Sequence, residues 1–242
     1  MKCLILAAGY GTRMQAVTGD IPKALIRLGD QTILDLLMQR LDPLDIRCTL
    51  ITNRKFYDQF VRWQLAANVT MTMVNNGTEH VDERLGAIGD ICFALETGQL
   101  DDDLLIVAAD TLFNFPLQGL VQAFHSDRCG VVAVRPNHDL IDLRRRGVVE
   151  VDNHGRITGF TEKPDQPASH LAATPLYILP REMLTEPARY LAGGGNPDAP
   201  GYLIEYLVAH HSMNAWQIPG EISDVGNPDS YSAALSQFES NS

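Results

Sequence analysis

Short apolar runs alternate with longer amphipathic segments through the first half of the chain. The runs are rich in Val, Ile, Leu, Thr and Met and nearly continuous, which is typical of strands buried on both faces. The segments between them, such as ILDLLMQRLD and KFYDQFVRWQLA, carry apolar residues at helical spacing. This alternation predicts a Rossmann-like three-layer α/β/α fold with a mostly parallel central sheet. We place the strands near 2–7, 47–52, 69–74, 103–108 and 129–134.

The pattern changes after residue 135. GVVEVDNHGRITGF consists of two short alternating runs around a polar turn and predicts a small β-hairpin. HLAATPLYIL is a further strand, and Pro180 with three later glycines predicts a helix across PREMLTEPARYLAGGG. We expect helices in YLIEYLVAHH and NPDSYSAALSQF and a short strand in AWQIPG. The chain is therefore predicted to form one domain over 1–238, with halves at about 1–135 and about 136–238.

Composition and charge argue against a nucleic-acid-binding, membrane-spanning or secreted protein. The chain has 242 residues, 45% of them hydrophobic, and a formal net charge of -11. Nonspecific nucleic-acid binding needs a basic face, whereas a few local cations are enough for a phosphorylated small molecule. No run approaches the ~18 apolar residues of a membrane span, and the first run is too short for a signal peptide. We expect a soluble, cytoplasmic protein with no nucleic-acid or membrane partner.

The first apolar run stops at a glycine-containing turn, GYGTRM. A dinucleotide-binding turn would need a small residue where Met14 stands and an acid at the tip of the second strand, where Asn53 stands. A triphosphate-binding loop fits better, because glycine N–H groups form an anion nest and Arg13 adds a planar cation suited to phosphate oxygens. Lys23 follows Pro22 ten residues after Arg13, so two cations flank one turn.

These motifs identify a family resemblance. LAAGYGTRM followed by PKALIRLGD resembles the signature of the sugar-1-phosphate nucleotidylyltransferases, also called NDP-sugar pyrophosphorylases. LLIVAAD, RGVVEVDNHGRITGFTEKP and DVGNPDSYSAAL are similar to later blocks of that family, in the same order and over nearly the whole chain. The resemblance implies transfer of a nucleotidyl group from a nucleoside triphosphate to a sugar-1-phosphate, with release of pyrophosphate.

The resemblance also implies a role for the first turn. Arg13 is expected to hold the leaving end of the triphosphate, and Lys23 is expected to contact the α-phosphate and the sugar phosphate together. Both residues would thus be catalytic, with Lys23 also binding the sugar phosphate. The nucleotide-binding residues that the resemblance implies are Ala8, Gly9, Gly11, Arg13 and Gly86.

Two aspartates are candidate ligands of a metal cofactor. Asp110 follows the fourth strand, and ligands of open α/β sheets bind at the carboxyl ends of strands. Asp224 lies far away in the segment ISDVG. The resemblance implies that Asp110, which is also catalytic, and Asp224 hold Mg²⁺, which prefers oxygen ligands and phosphate. Ala109 departs from the family, in which glycine usually precedes this aspartate.

The second half contains the candidate sugar site. The resemblance implies that Glu162 accepts hydrogen bonds from sugar hydroxyls, that Lys163 reaches the phosphate and that Gly147 lets the hairpin approach the ring. Tyr177 is a further candidate on the sugar side. Arg146 stands where the family often has an aromatic residue. We interpret the run 144–146 as a solvated hairpin end, with recognition of an extra anionic group on the substrate as the alternative.

Several alternatives stay open. The sequence does not discriminate among UTP, dTTP, CTP, GTP and ATP, or among sugar phosphates. A cytidylyltransferase for a non-sugar phosphate such as phosphocholine would keep the turn cations, but a choline site favours an aromatic cage and only 7% of the residues are aromatic. An inactive, nucleotide-binding regulatory homologue should have lost a metal aspartate or a turn cation. Self-association into homo-oligomers is implied by the resemblance alone.

Overall fold

A sheet of nine strands runs through the molecule. The computed structural model describes residues 1–14, 19–226 and 231–232. The strands of the described chain are β1 (Lys2–Leu6), β2 (Arg27–Leu28), β3 (Gln31–Thr32), β4 (Arg47–Thr52), β5 (Thr72–Asn75), β6 (Leu104–Ala108), β7 (Thr111–Phe113), β8 (Gly130–Pro136), β9 (Gly147–Val151), β10 (Ile157–Glu162), β11 (Leu171–Leu179), β12 (Met213–Gln217) and β13 (Ile222–Asp224). The large sheet has the order β10-β9-β11-β6-β1-β4-β5, and β8 pairs with both β11 and β12.

Most strands of this sheet point the same way. β1 pairs in parallel with β4 and β6, β4 with β5, and β8 with β12. β11 is antiparallel to β6, β8 and β9, and β10 is antiparallel to β9. Only β10 and β11 therefore run against the other seven strands of this sheet within the described residues. The predicted mostly parallel sheet and the predicted hairpin, formed by β9 and β10, are confirmed.

Helices cover both faces of the sheet, as the pattern predicted. They are α1 (Ile33–Leu41), α2 (Arg54–Ala67), α3 (Gly86–Thr97), α4 (Gln118–Asp127), α5 (Leu140–Leu143), α6 (Glu186–Ala192) and α7 (Pro200–His210). Successive residues of β1 point to opposite faces. Ile5 packs in a cluster with α1, α2 and α4, whereas Leu4 packs in another with α3 and α7. Burial on both faces explains why the strands read as continuous apolar runs.

Polar caps connect the helices to the strand ends. Thr32 and Asp35 form a capping box at the start of α1, and Asp35 also accepts a hydrogen bond from Trp63 Nε1 at 2.8 Å. Asn53 caps α2 by accepting from the N–H of Phe56, and its Nδ2 donates to the carbonyl of Ala8 at 2.9 Å. The residue at the tip of β4 therefore fixes the first turn instead of binding a ribose.

Some sequence predictions differ from the structure. The helix expected from Pro180 begins at Glu186, after a 3₁₀ turn at Arg181–Met183, because Pro187 is favoured only in a first helical turn. The short pairs β2–β3 and β7–β13 were not predicted. The helix expected at 227–238 lies outside the described residues except for 231–232. No helix of the described chain is long and apolar enough to cross a membrane.

We expect Phe60→Ala to destabilise the protein by about 3–5 kcal/mol, because this fully buried ring of α2 would leave a cavity in the core. Leu65→Ala on the same helix is the matched control, since Leu65 is 76% exposed and should change stability by less than about 0.5 kcal/mol. Urea unfolding monitored by circular dichroism measures both. An equal loss of stability in the two variants would contradict the placement of Phe60 on the face of α2 that packs on the core.

Candidate functional site

A cavity of about 370 Å³ opens at the carboxyl ends of β1 and β6. Because these strands are parallel neighbours with Leu6 opposite Ala108, the turn after β1 and the aspartate after β6 emerge side by side. The predicted residues that line this cavity are Ala8, Gly9, Gly11, Lys23, Gly86, Asp110 and Tyr177. A larger cavity of about 550 Å³, between α1 and the β7–β13 pair, contains none of the predicted site residues.

The glycine turn brings Lys23 into the cavity. Gly11 has φ +63°, a left-handed conformation that favours glycine, and a Cβ there would lie 3.4 Å from Cγ of Lys23. Lys23 begins a 3₁₀ turn directly after Pro22. Its Nζ lies 3.3 Å from Oδ2 of Asp110, so a turn cation and a candidate metal ligand are in contact. The side chain of Arg13 lies outside the described part of the structure.

The two candidate metal ligands are brought together by the short strands β7 and β13. These strands are antiparallel, with Asp224 opposite Thr111, and the N–H of Val225 donates to the carbonyl of Asp110 at 2.9 Å. Asp224 is therefore a direct neighbour of the strand that follows Asp110. Non-local pairing of two three-residue strands produces this proximity, which explains why periodicity did not predict it.

The donor set fits Mg²⁺ in a nucleotide complex. Within the described residues, no group of three His, Cys, Asp or Glu side chains could hold a metal by itself. Mg²⁺ is commonly held by one or two carboxylates together with substrate phosphates, and the predicted ligands Asp110 and Asp224 would supply two such carboxylates. Each carboxylate also faces a cation: Lys23 lies beside Asp110, and Arg146 Nη2 lies 3.1 Å from Asp224 Oδ1.

Our interpretation of Arg146 as part of a solvated hairpin end is wrong. Arg144 and Arg145 are exposed, but the Arg146 side chain is only 26% exposed and bonds Asp142 at 2.8 Å as well as Asp224. Burial opposes ionisation of Asp142, yet the hydrogen bond and charge of Arg146 keep the pKa of that carboxyl below its usual value. With two carboxylates neutralising it, Arg146 offers little support for recognition of an extra anionic group.

The sugar-side residues form a second cluster where the hairpin meets α7. Gly147 and Glu162 are opposite each other across β9 and β10. A Cβ at Gly147 would lie 3.1 Å from Oε2 of Glu162, and one at Gly201 of α7 only 1.8 Å from the same oxygen. The carboxylate of Glu162 therefore lies between two glycines. Burial raises its pKa, against the opposing charge and hydrogen bond of Lys163.

Lys163 is held beside this carboxylate by an uncommon backbone conformation. It has φ +52°, which is unusual for a residue other than glycine and is found at functional turns. Its N–H donates to the carbonyl of Arg146 at 3.0 Å. Its Nζ lies 3.6 Å from Glu162 Oε1 and 5.4 Å from the centre of the Tyr202 ring. The hydrogen bond and the two side-chain contacts set the direction of the ammonium group.

Residues of α7 are the functional neighbours that the sequence analysis missed. Gly201 makes room for Glu162, Tyr202 packs on Lys163, and Glu205 accepts the Glu162 N–H at 3.0 Å. Gly201, Tyr202 and Glu205 lie in GYLIEYLVAHH, which has the pattern of an ordinary buried helix, so no local signal distinguished them. Tyr177, which is 6% exposed, lines the cavity, and burial raises the pKa of its phenol well above the usual value. It is a protonated hydrogen-bond donor at neutral pH.

A chain of hydrogen bonds connects Tyr10 with Asp90, both of which line the 370 Å³ cavity. Tyr10 donates to Thr78 Oγ1 at 2.8 Å, Thr78 donates to Asn76 Oδ1 at 2.8 Å, and Asn76 donates to Asp90 Oδ1 at 2.7 Å. Gly86 stands nearby at the start of α3 with φ +77°, and a Cβ there would lie 2.4 Å from the carbonyl oxygen of Pro197. Burial raises the pKa of Asp90 to about 6, with the bond from Asn76 opposing.

Comparison with known proteins assigns the family. The family model "Nucleotidyl transferase" matches residues 2–241. The chain belongs to this nucleotidyl transferase family. A Sulfolobus acidocaldarius protein named as a mannose-1-phosphate guanyltransferase is 24% identical over 231 residues, which cover 96% of this chain and 61% of that protein. The Haloferax volcanii UTP–glucose-1-phosphate uridylyltransferase AglF is 28% identical over 186 residues, 73% of this chain and 71% of that protein.

Two solved structures share the fold of this chain. A UDP-glucose pyrophosphorylase in complex with UDP-glucose superimposes with a TM-score of 0.82 at 20% identity, covering 100% of this chain and 99% of that one. The inositol-1-phosphate CTP transferase from T. maritima gives a TM-score of 0.79 at 19% identity, with 98% and 96% covered. At these identities the likeness extends to the fold alone.

We expect Gly201→Ala to weaken sugar-phosphate binding, because the added methyl group would occupy the position of the Glu162 carboxylate. The KM for the sugar phosphate should rise on the order of 10-fold or more, as for the loss of one hydrogen bond to a charged group. The KM for the nucleotide should stay unchanged. Gly193→Ala is the control, since its Cβ would meet only backbone oxygens at 3.4 Å and 3.5 Å. A rise in both KM values would contradict this placement.

The buried carboxyl of Asp90 predicts a pH dependence of stability. Its pKa rises from 3.8 to about 6 on folding, so protonation favours the folded state below pH 4, and this contribution is lost as the pH rises through 6. We expect the free energy of unfolding of Asp90→Asn, relative to that of the native chain, to rise by about 1–3 kcal/mol from pH 4.5 to pH 7.5. Urea unfolding of both proteins at the two pH values measures the difference. A difference in the free energy of unfolding that is the same at both pH values would contradict the raised pKa of the buried Asp90 carboxyl.

Proposed function

We propose that this chain transfers a nucleotidyl group from a nucleoside triphosphate to a sugar-1-phosphate, giving an NDP-sugar and pyrophosphate. The observation that supports it best is the contact between Lys23 and Asp110 beside the glycine turn, at the carboxyl ends of two parallel strands. A phosphate-binding cation, a metal carboxylate and a glycine turn are the groups that phosphoryl chemistry requires. The family to which the chain belongs is consistent with this reaction.

The reaction brings two anions together, so neutralisation of charge is the main requirement. A phosphate oxygen of the sugar-1-phosphate attacks the α-phosphorus, the bond to the β-phosphate oxygen breaks, and pyrophosphate leaves. Lys23 would contact the α-phosphate and the incoming phosphate and reduce their repulsion. Arg13, two residues after Gly11, would hold the leaving pyrophosphate. Correct alignment of the two substrates supplies much of the remaining rate enhancement.

Asp110 and Asp224 are the residues that would hold Mg²⁺. The bound ion would act as a Lewis acid on the transferring phosphate. The contacts of these carboxylates with Lys23 and Arg146 keep the region nearly neutral before substrates bind. At these two carboxylates incoming phosphates would therefore meet paired charges, although the chain as a whole is acidic.

The second cluster would bind the sugar. Glu162 would accept hydrogen bonds from sugar hydroxyls, and Tyr177 has a protonated phenol that can donate. Lys163 is held by its backbone conformation and by the Tyr202 ring, so it can reach the sugar phosphate with little loss of side-chain entropy. Gly147 would let the hairpin backbone approach the ring.

The phosphocholine alternative has less support from this cluster. A choline site favours several aromatic faces around the ammonium group, and the one cation–π contact among the described residues of this cluster joins Tyr202 to Lys163, a cation of the chain itself. The buried carboxylate of Glu162 suits hydroxyl donors better. The proposal of an inactive regulatory homologue would require a missing ligand or cation, whereas Lys23, Asp110 and Asp224 are all present. The single domain over 1–238, the cytoplasmic location and self-association stay predictions.

Pyrophosphate release from a matrix of five nucleoside triphosphates against sugar-1-phosphates and phosphocholine, with Mg²⁺, tests this function. We expect turnover with a sugar phosphate and a fall on the order of 100-fold or more in Asp110→Asn, as for loss of a charge-stabilising group. Asp58→Asn, at an exposed position of α2, is the matched control and should keep full activity. Turnover with phosphocholine alone, or an Asp110→Asn variant as active as the control, would contradict the proposal.

A further inference from the structure

Three carboxylates line the cavity, and two of them face a cation. Asp110 is 3.3 Å from Lys23 Nζ, and Asp198 Oδ1 is 3.4 Å from Arg84 Nε. Asp90 instead accepts a hydrogen bond from the neutral amide of Asn76 at 2.7 Å. Among the described side chains no cation pairs with it. A carboxylate in a cavity wall without a cationic partner needs another donor.

The second oxygen of Asp90 is accessible from the cavity. Asp90 lies in the second turn of α3 and is 8% exposed, yet it belongs to the cavity lining. Its Oδ1 is held by Asn76, whereas Oδ2 accepts no hydrogen bond from the described residues. Among the described residues, Thr111 Oγ1 is the one fully buried side-chain N or O atom without a hydrogen-bond partner. Oδ2 of Asp90 also has no partner, so it must be in contact with solvent and is not fully buried. Its remaining access is therefore toward a ligand in the cavity.

The hydrogen-bond chain fixes the orientation of this carboxylate. Oδ1 of Asn76 accepts hydrogen bonds from the hydroxyl and the N–H of Thr78, at 2.8 Å and 3.0 Å. These two donors fix the orientation of the Asn76 amide group. Thr78 is in turn fixed by the hydroxyl of Tyr10 from the first turn. Two segments, the first turn and the loop with Asn76 and Thr78, thus hold Oδ1 of this carboxylate and leave Oδ2 without a hydrogen-bond donor among the described residues. Such preorganisation is typical of a recognition group.

The chemistry of Asp90 selects the part of a nucleotide that lies beside it. A phosphate would be repelled, so the neighbour must carry N–H or O–H donors and no negative charge. Guanine presents two adjacent donors, N1–H and the 2-amino group, which can pair with Oδ2 and with the lone pair of Oδ1 that Asn76 does not use. Adenine, cytosine, uracil and thymine each place an acceptor beside their donor, which a carboxylate oxygen repels. Matching of donors to a buried acceptor gives strong discrimination among bases.

We propose that Asp90 reads the N1–H and 2-amino edge of guanine, so that GTP is the nucleotide substrate. The inference deepens the proposed function and rests on it for the reaction, but not for nucleotide binding. Asp90 is a specificity-determining residue in this account, and Asn76 and Thr78 are the positioning residues behind it.

Isothermal titration calorimetry with Mg²⁺ and no sugar phosphate tests the proposal. The ligands are GTP, inosine triphosphate, xanthosine triphosphate, ATP, CTP, UTP and dTTP. We expect the native chain to bind GTP about 10- to 100-fold more tightly than inosine triphosphate, which lacks the 2-amino group. Asp90→Asn should abolish that preference and bind xanthosine triphosphate better than the native chain does, because the asparagine amide can donate to the carbonyl at C2.

Two controls keep the result interpretable. Asp82→Asn removes an exposed carboxylate from the 3₁₀ turn Val81–Glu83, which precedes α3, and should leave the GTP preference unchanged. Thermal unfolding of Asp90→Asn with a transition as cooperative as that of the native chain shows that the variant is folded. Because binding is measured without transfer, a failure of the proposed reaction would not hide the outcome at Asp90.

Two results would overturn the proposal. Binding of another nucleoside triphosphate as tight as that of GTP would exclude guanine recognition. An equal loss of affinity for all seven triphosphates in Asp90→Asn would assign Asp90 to a ribose hydroxyl or to the shape of the wall instead. A GTP preference that Asp90→Asn removes, while Asp82→Asn keeps it, supports guanine recognition.

Discussion

The parallel pairing of β1 with β6 is the constraint on which the whole site depends. Leu6 and Ala108 are opposite each other, and the N–H of Ala109 donates to the carbonyl of Leu6 at 3.0 Å. The glycine turn and Asp110 therefore emerge at the same level of the sheet. Both strands are buried between two helical layers, so a shift of one residue would exchange the side chains that pack in the two core clusters, which makes this register costly to change. The sheet thus places a cation and a carboxylate side by side at the site where we propose that the two phosphates meet.

Local charge balance then adapts an acidic protein to anionic substrates. Lys23 neutralises Asp110, and Arg146 neutralises Asp224 while remaining anchored to Asp142. Pairs at these distances and partial exposures contribute modestly to stability, so their main consequence is the electrostatic potential of the cavity. Asp90 stands apart, since it has an amide partner and a raised pKa. Its burial lowers stability at neutral pH, which is expected of a residue kept for binding.

The parts of the fold that follow from local patterns could be predicted from the sequence. Strands buried on both faces read as continuous apolar runs, and the hairpin was visible from its alternation and polar turn. The glycine turn and Asp110 could be located because each follows the end of a strand, and Lys23 because it follows Pro22 ten residues after Arg13. The resemblance to a family extended that list to Asp224, Glu162 and Lys163.

The remaining features depend on contacts between distant segments. β7 and β13 have three residues each, too few for any periodicity, and their pairing places Asp224 beside Asp110. Arg146 looked like one of three charges in a row, but its ion pair with Asp224 spans 78 positions. Asp90 looked like a polar interruption of the apolar helix α3. Only its bond to Asn76 and its position in the cavity wall mark it as a candidate recognition group.

The most direct test of the central claim is a crystal structure with Mn²⁺ and an α,β-methylene analogue of the nucleoside triphosphate that the chain uses. This analogue cannot undergo cleavage between the α- and β-phosphates, and the anomalous signal of Mn²⁺ locates the ion. We predict an anomalous peak coordinated by Asp110 and Asp224, with the phosphates on the turn from Gly9 to Gly11 and Lys23 at the α-phosphate. A peak away from both aspartates, or a triphosphate bound outside this cavity, would contradict the account.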